Sequence, residues 1–308
     1  ETLARPDHYP RPVDHPDASS FGQAEHRLRF GWGPNGLRLL APEAAVVVIV
    51  DVLSFSTSVD VAVGRGAVIL PYRWHDGSED AYAEANDAIV AARVPADGGA
   101  PAGYTLRPSS LTEIESGVRL VLPSPNGSAL TFGAAEAGAD TESTAAGDNT
   151  GDADNTTDAT DRRGVLVGCL RNATAVGRAA ATLAHRANGA VAVIAAGERW
   201  RGTTGPLRPA VEDLLGAGAI LAAAADTLGP DQLSPEASAA AAAHRDAAPV
   251  LGDRLRACGS GRQLIDRSFP ADVELAAEAD VSRSVPTLSG AELIDAGSSL
   301  DRDRAAED

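Results

Sequence analysis

The chain has 308 residues, is 44% hydrophobic and carries a formal net charge of −17. So acidic a surface repels nucleic acid and anionic lipid, and neither is expected as a partner. No apolar run reaches the ~18 residues that a membrane-spanning helix needs, so no membrane association is expected.

The length suits one large or two small domains and is ample for a core. Cys169 and Cys258 make no disulfide framework, and no Cys or His spacing suggests zinc. A reducing cytoplasm is the expected location. Arginine supplies the basic residues and lysine is absent. That composition fits a GC-rich genome and says nothing of the reaction.

In chain order, residues 1–40 read as a loose Pro/Asp-rich leader. VVVIV (46–50) is a short β-branched run and predicts a buried strand. A helix is expected over 56–65, a strand over 67–72 and a helix over 79–93. GVRLVLPS (117–124) predicts a strand ending in Pro-Asn-Gly turn chemistry, and 128–138 a helix. Residues 139–163 are acidic, rich in Asp, Thr, Ala and Gly, and without period, which predicts a disordered, dispensable insertion. A strand over 164–170, a helix over 172–187, a strand over 190–197 and an apolar helix over 211–226 follow. The Ala-rich stretch 234–250 predicts a surface helix, and residues 297–308 a charged tail. Strands alternating with helices of this length predict an α/β domain over 41–296, a three-layer α/β/α sandwich built from parallel β-α-β units. VIVDVLSFSTSVDVAV and VLVGCLRNATAVGRAA echo one another weakly, which either two similar half-domains or ordinary β-α grammar would produce.

In such sheets ligands bind beyond the carboxyl ends of the strands, where helices begin and their free N–H groups favour phosphate. Four polar clusters fall at such ends. They are Asp51 with Ser54, Ser56, Thr57 and Ser58; Ser124 to Ser128; Arg171, Asn172 and Thr174; and the stretch from Gly197 to Asp213, with Glu198, Arg199, Arg201 and Glu212. Each has a plain alternative. Ser56, Thr57 and Asn172 suit helix N-caps, Asn126-Gly127 suits a turn, and Glu212 and Asp213 suit first-turn acids favoured by the helix dipole. Asp51 follows five apolar residues directly and needs a partner, either helix N–H groups or a metal. Taken together, hydroxyls, amides and helix starts suit phosphate oxygens. Carboxylates with few His suit a hard cation such as Mg²⁺. Without lysine there is no Walker-A loop, and no G-x-S-x-G elbow is present. The residues alone point to a metal-dependent site for a small phosphorylated anion.

VVVIVDVLSFSTSV, LVLPSPNGSALTF, VGCLRNATAVG, VAVIAAGERW, VEDLLGAGAI and DVELAAEADVSRSVPTL, in that order, resemble the 2-phosphosulfolactate phosphatase family from about residue 45 to about residue 289. The resemblance implies that family's α/β fold. It also implies Mg²⁺-dependent hydrolysis of 2-phospho-3-sulfolactate to 3-sulfolactate and phosphate, a step toward coenzyme M in methanogens. It aligns Asp51 with the aspartate after the first strand, Asn126, Gly127 and Ser128 with an Asn-Gly-Thr stretch, Asn172 with an asparagine after a later strand, and Glu212-Asp213 with an acidic pair.

The chain departs from the family at Ser54, where an arginine usually stands. It departs again over 91–111, where a glutamate and an aspartate are missing and Arg93, Arg107 and Ser109 are the nearest polar residues.

The expected enzyme is thus a phosphoric monoester hydrolase. Asp51 and Asp213 would hold Mg²⁺, with Glu212 as the support of Asp213. Ser54, Ser56, Thr57, Asn126, Gly127, Ser128 and Asn172 would bind phosphate. Arg171, Arg199 or Arg201 would neutralise a second anionic group of the substrate. A phosphatase for another small phosphoester and a non-catalytic phospho-ligand-binding protein of the same fold are the alternatives. A homo-oligomer stays open. Asn126 and Ser128 are expected to share a pocket with Asp51, because each follows a strand read as parallel.

Overall fold

A computed structural model describes residues 21–73, 76–93, 103–145, 163–200 and 205–297. The elements in order are β1 (Leu28–Trp32), α1 (Gly33–Leu40), β2 (Ala44–Val50), α2 (Phe55–Gly64), β3 (Val68–Tyr72), α3 (Ser78–Ala85), β4 (Ile89–Val90), β5 (Arg119–Pro123) and α4 (Gly127–Ala145). There follow β6 (Gly164–Gly168), α5 (Ala173–Arg186), β7 (Ala190–Ala195), β8 (Glu198–Arg199), β9 (Leu207–Arg208), α6 (Val211–Leu228), α7 (Pro235–Ala247), α8 (Leu251–Ala257), α9 (Gly259–Asp266), α10 (Pro270–Ala277), β10 (Pro286–Ser289) and β11 (Glu292–Asp295).

The main sheet runs β1-β7-β2-β6-β10-β11-β3-β5-β4. β1, β7, β2 and β6 are mutually parallel, and so are β3, β5 and β4. The antiparallel hairpin β10–β11 joins the two sets, touching each through a single registered pair, Thr287 with Leu166 and Leu293 with Ile69. Three antiparallel steps therefore reverse β3 and β5 relative to β2, which corrects the expectation of one parallel sense. β2 shows why the fold has three layers. Val46, Val48 and Val50 pack in one core with α5, α6 and α7. Val47 and Ile49 face the opposite core with Leu37 and Leu40 of α1 and Leu130 of α4. Side chains alternate across a strand, so a run apolar at every position needs cover on both faces.

The domain begins earlier than expected. Residues 28–40, assigned to a leader, form an edge strand and a helix, with Leu28 fully buried and paired to Val191. Residues 1–20, and the tail beyond 297, lie outside the described residues. The helix expected over 79–93 stops at Ala85, where Asn86 closes it and the β-branched Ile89–Val90 joins β5. The stretch assigned to an insertion from 139 is helical to Ala145. At its far end Arg163 donates to the carbonyls of Ala44 and Pro42, and residues 146–162 lie outside the described residues. No helix among the described residues is long and apolar enough to cross a membrane.

Candidate functional site

The carboxyl ends of β2 and β7 lie side by side, since Val50 is in register with Ala195. Asp51 and Gly197 follow them, and the first turn of α6 packs across both ends. That approach needs Gly216, where a side chain would meet Val52 and Val50 within 3.0 Å. Asp213 closes the junction. Its Oδ1 accepts the Val52 N–H at 2.7 Å and its Oδ2 the Gly197 N–H at 2.8 Å. The carboxylate is 3% exposed. Burial first, then the charges of Asp51 and Glu212, hold its pKa well above the ordinary carboxylate value.

Asp51 is nearly as buried, at 6% exposure. Its Oδ2 accepts the Gly127 N–H at 2.9 Å, and the Phe55 N–H also serves the carboxylate. Gly127 opens α4, and a Cβ there would stand 2.2 Å from the Phe55 ring and 2.8 Å from Asp51 Oδ2. Only glycine lets the helix start this close. Burial, and then the Glu198 charge, push Asp51 up to about 7, against the pull of those two N–H groups.

Glu198 and Glu212 complete the group. Glu198, on β8, is half-buried and hydrogen-bonded by the Asn126 side chain; burial raises it, while the Arg199 N–H and the Arg208 charge oppose that. Glu212 is 2% exposed, and its Oε2 has no hydrogen-bond partner. The Cys258 thiol lies beside it and is pushed up to about 12 by burial and then by the Glu212 charge. Four carboxylates thus raise or face one another at one junction. Among the described residues no three His, Cys, Asp or Glu side chains stand where they could together hold one ion.

Several expected site residues serve the scaffold instead. The Ser56 hydroxyl accepts the Asp51 N–H at 2.8 Å, and that of Thr57 donates to the Val52 carbonyl at 2.7 Å. Both are fully buried, so they lock the strand end onto α2, neither capping the helix nor facing a ligand. Ser128 donates to the Leu122 carbonyl at 2.8 Å and is likewise fully buried. Asn172 accepts the Cys169 N–H and donates to the Ser284 carbonyl, tying β6 to the chain before β10. Arg171 is taken by Asp60 at 2.9 Å, by the Leu275 carbonyl and by Glu278. Arg199 donates to the Gly205 carbonyl at 3.1 Å. Arg107 and the Ser109 N–H both engage the buried Asp272. Ser54 precedes α2, half-buried, without a side-chain capping bond. Arg201 lies outside the described residues. Of the expected set, Asp51, Asn126, Gly127, Glu212 and Asp213 come together.

The sequence reading gave no role in the reaction to Glu198, Arg208 and Cys258. Glu198 carried the strongest signal, a carboxylate three residues past a fully buried strand. Cys258 gave none, because its approach to Glu212 is made by the packing of α9.

Residues 148–291 match the family model described as 2-phosphosulpholactate phosphatase. The resemblance to that phosphatase family holds. The match covers Glu198, Arg208, Glu212, Asp213 and Cys258, while Asp51 and the Asn126–Gly127 turn precede it. No curated protein matches the chain.

Proposed function

We propose that the chain is a Mg²⁺-dependent phosphatase that hydrolyses 2-phosphosulfolactate, or a similar small phosphorylated anion, to the alcohol and phosphate. The observation that carries the reading is the unpartnered, buried Oε2 of Glu212, beside carboxylates whose charges burden one another, in a chain similar to a phosphatase family. An orphaned anionic oxygen in a dry site is costly unless a cation or a proton joins it. The donor set fits Mg²⁺, which usually takes one or two carboxylates and fills the rest of its shell with water and substrate oxygens. Asp51 and Glu212 would hold it, and it would polarise the phosphoryl group when bound.

The protein's own residues supply the rest. Gly127 and Phe55 N–H groups fix the Asp51 carboxylate. Asp213 sets the spacing of the two strand ends, a role exchanged with Glu212 relative to the sequence reading. The first turn of α4, where Asn126 and Gly127 meet Asp51, offers remaining N–H groups to phosphate oxygens. Asp51, raised to about 7 in the metal-free site, would give up its proton on taking the cation, so cation binding would be pH-dependent.

A second reading, a phospho-ligand-binding protein without turnover, is favoured by one observation: among the described residues no three His, Cys, Asp or Glu side chains stand where they could together hold a catalytic cation. The test is phosphate release from a panel of phosphomonoesters with and without Mg²⁺. Turnover lost in Glu212→Gln supports the enzyme; ligand-induced thermal stabilisation without turnover supports the second reading.

A further inference from the structure

Four carboxylates crowd the site, yet a substrate such as the one proposed carries an anionic group besides its phosphate. Arg171 and Arg107 are each held by a carboxylate within the fold, and Arg199 donates to the Gly205 carbonyl. Arg208 differs in its place: side chains alternate along a strand, so it shares the face of Glu198 while Arg199 points to the other face of the hairpin. It lies on β9, directly across the hairpin from Glu198, and is half-buried. Among the described residues it donates one hydrogen bond, from Nη2 to the Ser260 hydroxyl at 3.2 Å, and its guanidinium lies 5.7 Å from the centre of the Trp200 ring. A guanidinium offers five N–H donors in a fixed fork, so most remain for a ligand.

Its surroundings join it to the carboxylates. Ser260 is buried and stands in the first turn of α9, whose N-cap is Cys258, the thiol beside Glu212. Nη1 lies over Gly259. On the other side the Arg208 charge reaches Glu198, which Asn126 hydrogen-bonds next to Gly127 and Asp51. Bonds, neighbouring positions and charge interactions therefore link Asp51, Gly127, Asn126, Glu198, Arg208, Ser260, Cys258 and Glu212, and the Glu212 charge acts back on Asp51. Trp200, 56% exposed, lies beside Arg208.

We propose that Arg208 is the specificity-determining residue of this site, binding the sulfonate or carboxylate that a substrate carries beyond its phosphate. The inference rests on the phosphatase reading for its substrate and on the geometry of Arg208 for its mechanism. Paired N–H donors match the oxygens of either group. Without this cation the carboxylates and the −17 charge of the chain would repel a polyanion.

The experiment compares the wild-type protein with Arg208→Gln, Arg208→Lys and Ser260→Ala on two phosphomonoesters of similar size, phosphoglycolate, which carries a second anionic group, and ethyl phosphate, which does not. Calorimetric binding of 3-sulfolactate and of inorganic phosphate is measured on the same proteins. Arg208→Gln should lower kcat/KM for phosphoglycolate and weaken 3-sulfolactate binding by about 10-fold or more, the scale of a lost hydrogen bond to a charged group. Ethyl phosphate and inorganic phosphate should change less than about 3-fold. Arg208→Lys should fall between, since it keeps the charge and loses the fork, and Ser260→Ala should shift the same readouts by less. Equal losses on both esters, or no loss on either, overturn the proposal. Absence of any wild-type turnover defeats the phosphatase reading alone. The 3-sulfolactate calorimetry then decides Arg208, and wild-type binding that is absent or unchanged by Arg208→Gln overturns it.

Discussion

The Gly127 N–H donates to Oδ2 of Asp51 at 2.9 Å across 76 residues of chain. The two belong to strand sets of opposite sense, so strand direction is not what brings them together. From β2 to β5 there are five strand-to-strand steps, and at roughly 20–25° each the sheet turns by roughly 100–125°. The start of α4, which follows β5, stands beside Asp51.

That meeting depends on a missing side chain. Gly127→Ala should lower stability by ~1–3 kcal/mol through overpacking, because Phe55 is fully buried and cannot withdraw. Any phosphatase activity should fall further as Asp51 is displaced. Thermal melts and turnover of the variant check both. A wild-type melt would show that α4 stands farther off.

The acidity of Asp51 predicts a pH dependence in metal-free protein. The folded carboxyl keeps its proton up to about pH 7, whereas its ordinary value is 3.8. Between these values the folded state binds the extra proton, so Asp51 makes stability fall as pH rises through that window and level off above it. Asp51→Asn should match wild type near the acid end and melt higher near pH 8, while losing turnover. Melts across this range, compared between the two proteins, measure the difference.

Glu212 and Asp213 should separate in their effects. Asp213→Asn replaces one acceptor by an N–H that faces a backbone N–H, and one unsatisfied buried donor costs ~1–3 kcal/mol. Glu212→Gln breaks no hydrogen bond at Oε2, and should leave the melt near wild type while lowering turnover by ~10²-fold or more. The contrast is read from melting temperature against kcat at saturating Mg²⁺. Loss of turnover without loss of stability in Asp213→Asn would return the functional role to that residue.

Asp272 should matter to the fold alone. It is fully buried, accepting from Arg107 at 2.8 Å and the Ser109 N–H at 2.9 Å, while Arg107 lies 3.7 Å over the Phe269 ring. Asp272→Ala leaves the arginine without its carboxylate and should cost on the order of 3 kcal/mol. KM for any substrate should hold in the folded fraction, as steady-state kinetics below the melt would show.

Local pattern carried a large part of this protein. VVVIV, GVLVGCL and AVAVIAAG are apolar at successive positions, which only strands covered on both faces can satisfy, so the three-layer architecture was legible. Asp51 was legible for the same reason, as a carboxylate at the end of such a run. The hairpin β10–β11 was not. Its strands are short, and it has meaning only as the wedge between two parallel sets. Nor could sequence decide how polar atoms are spent. Ser56, Thr57, Ser128, Asn172 and Arg171 look like ligand-binding residues because a hydroxyl, an amide or a guanidinium reads the same whether its partner is a phosphate or a carbonyl; the fold supplied backbone and carboxylate partners for all five. The order of the chain determined which residues stand at strand ends. Packing decided which of them still have an atom to offer, because a buried polar group must be satisfied by whatever the tertiary structure brings within reach.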